Sequence, residues 1–342
     1  MNRSVFVKAI FLVFMLALLL APGVSLAQQA PVTLKVVHFF PTGHQQHVLL
    51  DQWGKELEKR TNGKVKVTVY PAGVLAPAPQ IYDAVIKGIA DVGDHVLGYT
   101  VGRFPLMEGI DLPFGYPSGT AATKMTNAFY AKFKPKEMEG VKVLWFHAQG
   151  PGILHTKSKP VQSLEDLKGM KIRTFGSNAK FMSNLGGTPV AMPMTDVYDA
   201  LSKGVVEGLF ANYEAIEGFA LADQIKCSTE NYDSAYTAVF LVCMNKNKYN
   251  SLPKEVQATI DQMSAEYIDK FAKMWEQIQK SGKDLLTKRG NKFITLSKEE
   301  QIRWADKAKP LIEEYAKNMQ AKGLPGDEAV KFIRDYLKPY RQ

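Results

Sequence analysis

Ile81-Tyr82-Asp83-Ala84-Val85-Ile86-Lys87-Gly88-Ile89-Ala90-Asp91 returns later in the chain as Val197-Tyr198-Asp199-Ala200-Leu201-Ser202-Lys203-Gly204-Val205-Val206-Glu207. In both copies a helix would end at Lys-Gly, where glycine supplies the left-handed cap, and an apolar strand would follow at once. Each copy is also preceded by a strand pattern, residues 63–70 in the first and 169–174 in the second. Two supersecondary units repeated in the same order constrain the chain to two similar α/β lobes. Lobes of this kind face one another across a cleft at the carboxyl ends of their strands, where open α/β sheets bind ligands. A hinge motion would bury the ligand almost completely.

The rest of the chain fits that frame. Residues 33–38 read as a strand, and residues 46–60 carry Leu49, Trp53 and Leu57 at helix spacing before Asn62-Gly63 stops them. Residues 64–70 alternate polar and apolar as a half-buried strand requires. Strand and helix patterns keep trading places to about residue 245, which argues for α/β layers. From Pro253 the positions Val256, Ile260, Met263, Tyr267, Phe271, Met274 and Ile278 step by three and four, and Gly290 offers a closing cap. At about 1.5 Å per residue that helix reaches on the order of 50 Å, enough to lie across both lobes. Ser297 and Glu300 open another helix with a capping box, closed by Gly323 and Pro325. The expected organisation is a two-lobed α/β binding protein with discontinuous domains. One lobe takes residues 31–152 and about 240–280, the other residues 153–239 and about 281–342.

The amino terminus reads as an export signal, residues 1–27. Arg3 and Lys8 precede an apolar run over residues 9–21, a break at Pro22-Gly23 and the small-residue exit Ser25-Leu26-Ala27. The run is too short for a membrane span, which needs about 20 residues. Net charge is +9, or +7 without Arg3 and Lys8, but the basic residues are interleaved with acidic ones, as in Lys55-Glu56-Leu57-Glu58-Lys59-Arg60. That pattern suits a solvated helix face and a mildly anion-attracting surface; nucleic acid is not an expected partner. Cys227 and Cys243 are the only cysteines. They exclude a disulfide scaffold and a thiolate zinc cluster, and leave open a bridge between neighbouring strands or two buried thiols.

No nucleophile elbow, phosphate loop or zinc-protease helix is present, and no cofactor is expected. His44, His47 and Asp51 share a helix face, but without a further ligand in view a pocket role for His44 is preferred over a metal. Aromatics gather where strands should end: Phe39 and Phe40, Trp145 and Phe146, Phe175, and Phe210 with Tyr213. Singly each reads as core, and together they suggest an apolar cleft wall. His95, in the strand expected after Gly88, joins the pocket candidates. In Lys171-Ile172-Arg173-Thr174 the alternation sets Arg173 opposite Ile172 near the strand end. There its planar guanidinium would match a carboxylate or sulfonate.

Leu164-Glu165-Asp166-Leu167-Lys168-Gly169-Met170-Lys171-Ile172-Arg173 resembles the signature of solute receptors of tripartite ATP-independent periplasmic (TRAP) transporters, in the dicarboxylate-receptor-like family. Thr188-Pro189-Val190, Met192-Pro193, Tyr198-Asp199-Ala200-Leu201 and Gly204-Val205-Val206-Glu207-Gly208 follow in that family's order. Gly63-Lys64-Val65 through Tyr70-Pro71-Ala72-Gly73, and Met244-Asn245-Lys246 with Ser251-Leu252-Pro253, extend the likeness over nearly all of residues 31–290. The resemblance implies a periplasmic receptor, not an enzyme, in which Arg173 clamps an acidic ligand for delivery to the small and large permease subunits. Two departures stand out. A second arginine common in dicarboxylate receptors is missing at Gly150-Pro151-Gly152-Ile153, and Asn212-Tyr213-Glu214 resembles the branch with Pro-Trp-Glu there. A ligand with one acidic group is therefore expected, a carboxylate or sulfonate, with Asn212, Tyr213 and Glu214 reading its other end. Hydroxy, keto, amino and aromatic acids and isethionate-like sulfonates stay open, the aromatic cluster favouring a ring. The competing readings are a periplasmic hydrolase or lyase using His44 and Glu214, and a ligand-free sensor or scaffold. Oligomeric state is not legible.

Overall fold

The computed structural model describes residues 30–341, so the export signal expected over residues 1–27 lies outside the described residues. Eleven strands form two sheets. In the first, the order is β2 (Val65–Tyr70), β1 (Val32–Val37), β3 (Val92–Val96), β10 (Val239–Asn245) and β4 (Val141–Ala148). In the second it is β11 (Lys292–Thr295), β9 (Cys227–Glu230), β5 (Ile153–Thr156), β8 (Gly208–Ala211), β6 (Lys171–Thr174) and β7 (Thr188–Ala191). The sheets share a plan. β1 runs parallel to β2 and β3, β6 runs parallel to β7 and β8, and an antiparallel strand, β10 or β5, covers β3 or β8.

The sequence repeat corresponds to this plan down to single hydrogen bonds. α2 (Ile81–Ile86) and α5 (Val197–Ser202) each follow a 3₁₀ turn and end at a lysine followed by a left-handed glycine, Gly88 at φ 72° and Gly204 at φ 71°. The Lys87 amide donates to the Asp83 carbonyl and the Lys203 amide to the Asp199 carbonyl, both at 2.9 Å. The Asp91 amide then reaches Lys35 O at 2.9 Å and the Glu207 amide Lys171 O at 2.8 Å, which starts each new strand beside the first of its lobe.

Two direct strand-to-strand crossings join the sheets, from β4 to β5 and from β9 to β10, and residues 246–291 make a third, from β10 to β11. Because β4 pairs with β10 and β5 with β9, the two direct crossings run side by side as one antiparallel ribbon. The Gly152 amide donates to Tyr236 O at 2.8 Å, the Gln149 amide to Ala238 O at 3.2 Å, and the Thr237 hydroxyl to Gln149 O at 2.8 Å. Cys227 lies in β9 and Cys243 in β10, in different sheets, and both are buried free thiols. Of the two alternatives left open by the sequence, two buried thiols are observed.

α1 (Gln45–Arg60), α3 (Gly119–Phe133) and β4 support one end of α8 (Lys254–Lys288), and α6 (Tyr213–Gly218) supports the other. At 35 residues α8 is about 50 Å long. Its inward stripe meets the core at Trp145, whose ring lies 5.6 Å from Tyr267 and Phe271. Arg60 of α1 is bonded to Glu266 of α8 at 2.9 Å. Helices α9 (Lys298–Ala321) and α10 (Gly326–Leu337) close the chain. α9 packs on α4 (Asn178–Leu185) beside the second sheet, whereas α10 returns to α3, with Phe332 5.9 Å from Phe129. The placement of residues 281–342 wholly with the second lobe is thus modified at α10. A short helix, α7 (Lys246–Ser251), precedes α8.

Gly282 sits inside α8 because a Cβ there would lie 2.2 Å from the Tyr213 carbonyl oxygen. Backbone cannot yield as a flexible side chain would, so Gly282→Ala should cost about 1–3 kcal/mol, the usual range for overpacking. Calorimetry should record a Tm lowered by several degrees, whereas Gly43→Ala, with nothing within 4 Å, should melt as the parent does.

Candidate ligand-binding site

The parallel strands of both sheets end at one place. After β1 come Phe39 and Phe40, after β3 Tyr99, after β6 Phe175 and after β8 Asn212 and Glu214. These residues, with Arg173 and with Gln149, Tyr236 and Ala238 of the ribbon, line a narrow cavity of about 30 Å³. Gly98 and Gly176 let the backbones meet beside it. A Cβ on Gly98 would strike the Phe175 ring at 2.8 Å, and one on Gly176 would lie 3.3 Å from Gly98. The Met194 amide completes the contact by donating to Tyr99 Oη at 3.0 Å.

Arg173 is 2% exposed. Its Nε–H donates to Met192 O at 3.0 Å and an Nη1–H to Phe210 O at 3.3 Å, while the guanidinium carbon stands 5.2 Å over the Phe175 ring. Among the described residues no carboxylate pairs with it. A guanidinium has five N–H donors, so the backbone fixes its position without exhausting it. A buried cation without a counter-ion is costly, and the cost is relieved by an anion at the cavity face. Two buried acids of the first lobe are accounted for elsewhere: Asp94 is bonded to His147 at 3.1 Å, and burial raises the Asp111 carboxyl well above its ordinary range. Four other side chains of the lining carry polar atoms without a partner: Gln46 at both amide atoms, Gln149 and Asn212 at their amide nitrogens, and Tyr236 at its hydroxyl.

Of the residues proposed from sequence, Arg173, Phe39, Phe175, Asn212 and Glu214 line the cavity. His44 stands behind Glu214, with Nε2 against Oε1 of that carboxylate. The Gln46 amide donates to His44 Nδ1 at 3.2 Å, so the ring proton is on Nε2 and the imidazole caps α1. His47 pairs with His38 Nε2 at 3.0 Å, which takes it away from the metal set considered with His44 and Asp51. His95 is corrected. Val96 lines the cavity, and strand alternation turns His95 to the opposite face, against Thr100 at 3.1 Å and the Tyr82 ring. Tyr213 is also corrected: the first turn of α6 points Glu214 inward and Tyr213 outward, where its hydroxyl donates to Glu230 at 2.9 Å. Trp145, Phe146 and Phe210 belong to the core. Sequence reading missed Gln46, Tyr99, Gln149, Phe219 and Tyr236. A wider groove beside α8, between Ser118, Tyr232 and Lys283, holds no parallel strand end, and Lys283 is already paired with Glu230 at 2.6 Å.

A two-lobed α/β protein that buries an unneutralised guanidinium at the meeting of its strand ends is a receptor for a small solute. A model of bacterial extracellular solute-binding proteins, family 7, matches residues 36–318. The chain belongs to that family, the solute-binding subunits of TRAP transporters. It is accordingly a periplasmic protein that works with a TRAP membrane permease. A TRAP solute-binding protein of an unidentified marine microbe, specific for aromatic acid ligands and solved with metahydroxyphenylacetate, is 31% identical with a TM-score of 0.86, covering 91% of this chain and all of that one. One from Rhodoferax ferrireducens, solved with copurified benzoate, is 27% identical with a TM-score of 0.85, covering 90% and 98%. One from Bordetella bronchiseptica, solved with (R)- and (S)-mandelate, is 29% identical with a TM-score of 0.84, covering 91% and 100%.

Burial drives His38, His95 and His155 down to a pKa of about 3, so each is neutral in the folded protein at pH 6. The unfolded chain takes up a proton at each below about 6.5. Stability is therefore full above that pH and is lost as pH falls toward 3, at up to about 1.4 kcal/mol per unit for each histidine. Glu108, Asp111 and Glu137, whose carboxyls burial raises, offset part of the loss by binding protons in the folded state. Urea unfolding at pH 7.5 and 5.5 should show a fall of a few kcal/mol; a flat profile would mean that these imidazoles are not kept neutral.

Proposed function

We propose that the protein binds an aromatic monocarboxylate and hands it unchanged to the permease. The observation that carries this is Arg173, buried and without a carboxylate partner, facing a space walled by Phe39, Phe40, Phe175, Phe219, Tyr99 and Tyr236. A carboxylate would take the free Nη donors bidentately, and a flat ring would lie between the aromatic faces once the walls part to admit it. Phe39, Phe175, Asn212 and Glu214 are the further contacts. The ligands of the three relatives, a hydroxyphenylacetate, benzoate and mandelate, are all aromatic monocarboxylates and support the reading. So does the ring of Tyr236. It occupies the space beside Gly152, where a Cβ would lie 2.2 Å from it, at the segment lacking a second arginine.

Binding without turnover follows from His44. Nδ1 already accepts from the Gln46 backbone amide and Nε2 carries the ring proton, which supports a ring with no free lone pair to act as a base on a ligand. We assign the lobes as residues 31–152 with about 240–280, and residues 153–239 with about 281–342 apart from α10, hinged on the ribbon.

Titration calorimetry with benzoate tests this. Arg173→Ala leaves a buried carboxylate unpaired, which costs about 3–5 kcal/mol, so affinity should fall at least 100-fold. Arg173→Lys should recover only part of it, because an ammonium lacks the planar fork. Chromatography of the incubated ligand should return it unaltered. Wild-type affinity in Arg173→Ala would remove the clamp, and a new product would establish an enzyme.

A further inference from the structure

The end of the cavity beside His44 differs from the Arg173 end. A file of rings joins them: Phe175 lies 5.7 Å from Tyr99, Tyr99 5.8 Å from Phe39, Phe39 6.3 Å from Phe219, and Phe219 5.5 Å from the His44 ring. Arg173 is stacked on the first ring and Glu214 meets the last. Beyond these rings two polar side chains face the space from opposite lobes. Gln46, at the start of α1, is fully buried, and neither its Oε1 nor its Nε2 has a partner in the protein. Glu214, at the start of α6, is 4% exposed, and His44 holds only its Oε1.

The histidine determines what Glu214 can do. Because His44 Nδ1 accepts from the Gln46 backbone amide, its one proton is on Nε2, the ring atom in contact with Glu214 Oε1, and the carboxylate offers the cavity acceptor oxygens. Gln46 beside it offers an N–H donor and a carbonyl acceptor. A single ligand group satisfies both residues when it donates to Glu214 while accepting from Gln46 Nε2–H, and a hydroxyl does this. An ammonium can only donate and leaves Gln46 Nε2 unpaired. A second carboxylate would meet Glu214 as a like charge in a site closed to water.

We propose that Gln46 and Glu214 form a hydroxyl-reading subsite, positioned by His44, which selects aromatic monocarboxylates carrying a ring hydroxyl remote from the carboxylate and rejects aromatic dicarboxylates. The proposal rests on the aromatic-acid reading above and adds the substituent that the site discriminates.

Calorimetry on the purified protein with benzoate, 3-hydroxybenzoate, 4-hydroxybenzoate, 3-methoxybenzoate and benzene-1,3-dicarboxylate tests it. At least one hydroxybenzoate should bind 10-fold or more tighter than benzoate, in line with the usual worth of a hydrogen bond to a charged group. The methoxy acid, which accepts but cannot donate, should gain nothing, and the dicarboxylate should not bind measurably. Glu214→Gln and Gln46→Leu should each bring the hydroxybenzoate-to-benzoate ratio below threefold. His44→Asn, which retains an N-cap acceptor but withdraws the Nε2 proton, should lower the same ratio, a change that loss of packing alone would not produce. Benzoate bound as tightly as both hydroxybenzoates by the wild type would overturn the subsite and leave the aromatic reading standing. A ratio unmoved in both Glu214→Gln and Gln46→Leu would do the same. Failure of every ring acid to bind, while an aliphatic acid does, would overturn the aromatic reading and the subsite with it.

Discussion

The two direct crossings between the sheets are held together by three hydrogen bonds, from the Gly152 and Gln149 amides and the Thr237 hydroxyl. Most of the molecule's functional geometry depends on that pairing. It fixes β5 beside β8 and β10 beside β3, so the parallel strands of both sheets point their carboxyl ends at a common place. It also places Gln149, Tyr236 and Ala238 in the wall of the cavity, so the hinge itself is part of the binding surface. A ligand that touches this ribbon senses the relation of the two sheets directly. Phe39 and Tyr99 on one side and Arg173 and Glu214 on the other meet across the cavity, so its walls come from both sheets.

The charge arrangement follows the same economy. Arg173 is held by backbone carbonyls and not by an acid, so its position is fixed while its charge stays unanswered. Among the described residues no acid pairs with it, and Glu214, the one carboxylate of the lining, lies against His44 at the other end. Three histidines close to the site are ordered by backbone amides and by one another. The Phe40 amide donates to His38 Nδ1 at 3.1 Å, His38 Nε2–H points at His47, and the Gln46 amide sets the tautomer of His44. The polar lining is in this way fixed before a ligand arrives, which reduces the ordering cost of binding.

The features legible in the sequence were those encoded locally. The Lys-Gly helix ends, the alternation through Arg173 and the three-four spacing from Val256 each depend on neighbours a few residues away, and each corresponds to an observed element. Asn212 and Glu214 were reached through the family resemblance, and the structure places them as an N-cap and a first-turn acid directly after a strand. Gln46 and Tyr236 were not, because their place depends on pairing between distant segments, and nothing beside Gln46 marks it as more than a polar residue in a helix's first turn. His95 and Tyr213 show the complementary error. Their segments reach the cavity, but a strand alternates and a helix rotates by about 100° per residue, so the adjacent Val96 and Glu214 face inward in their place. The file of rings from Phe175 to Phe219 draws on four separate segments and has no signature in any one of them.

The position of β10 bears on how such a chain acquires its shape. β10 is an interior strand of the first sheet, lying between β3 and β4, although it follows β4 by nearly a hundred residues and comes after most of the second sheet. Until residues 239–245 are available, β3 and β4 have no partner between them, and the contacts that complete that half are separated by long stretches of chain. Assembly of high contact order is slow, because loop closure must precede the pairing that rewards it. The first sheet therefore cannot be completed until more than two thirds of the chain has been made. The interleaved topology that makes the ribbon thus leaves the first half without an interior strand until the last third of the chain arrives.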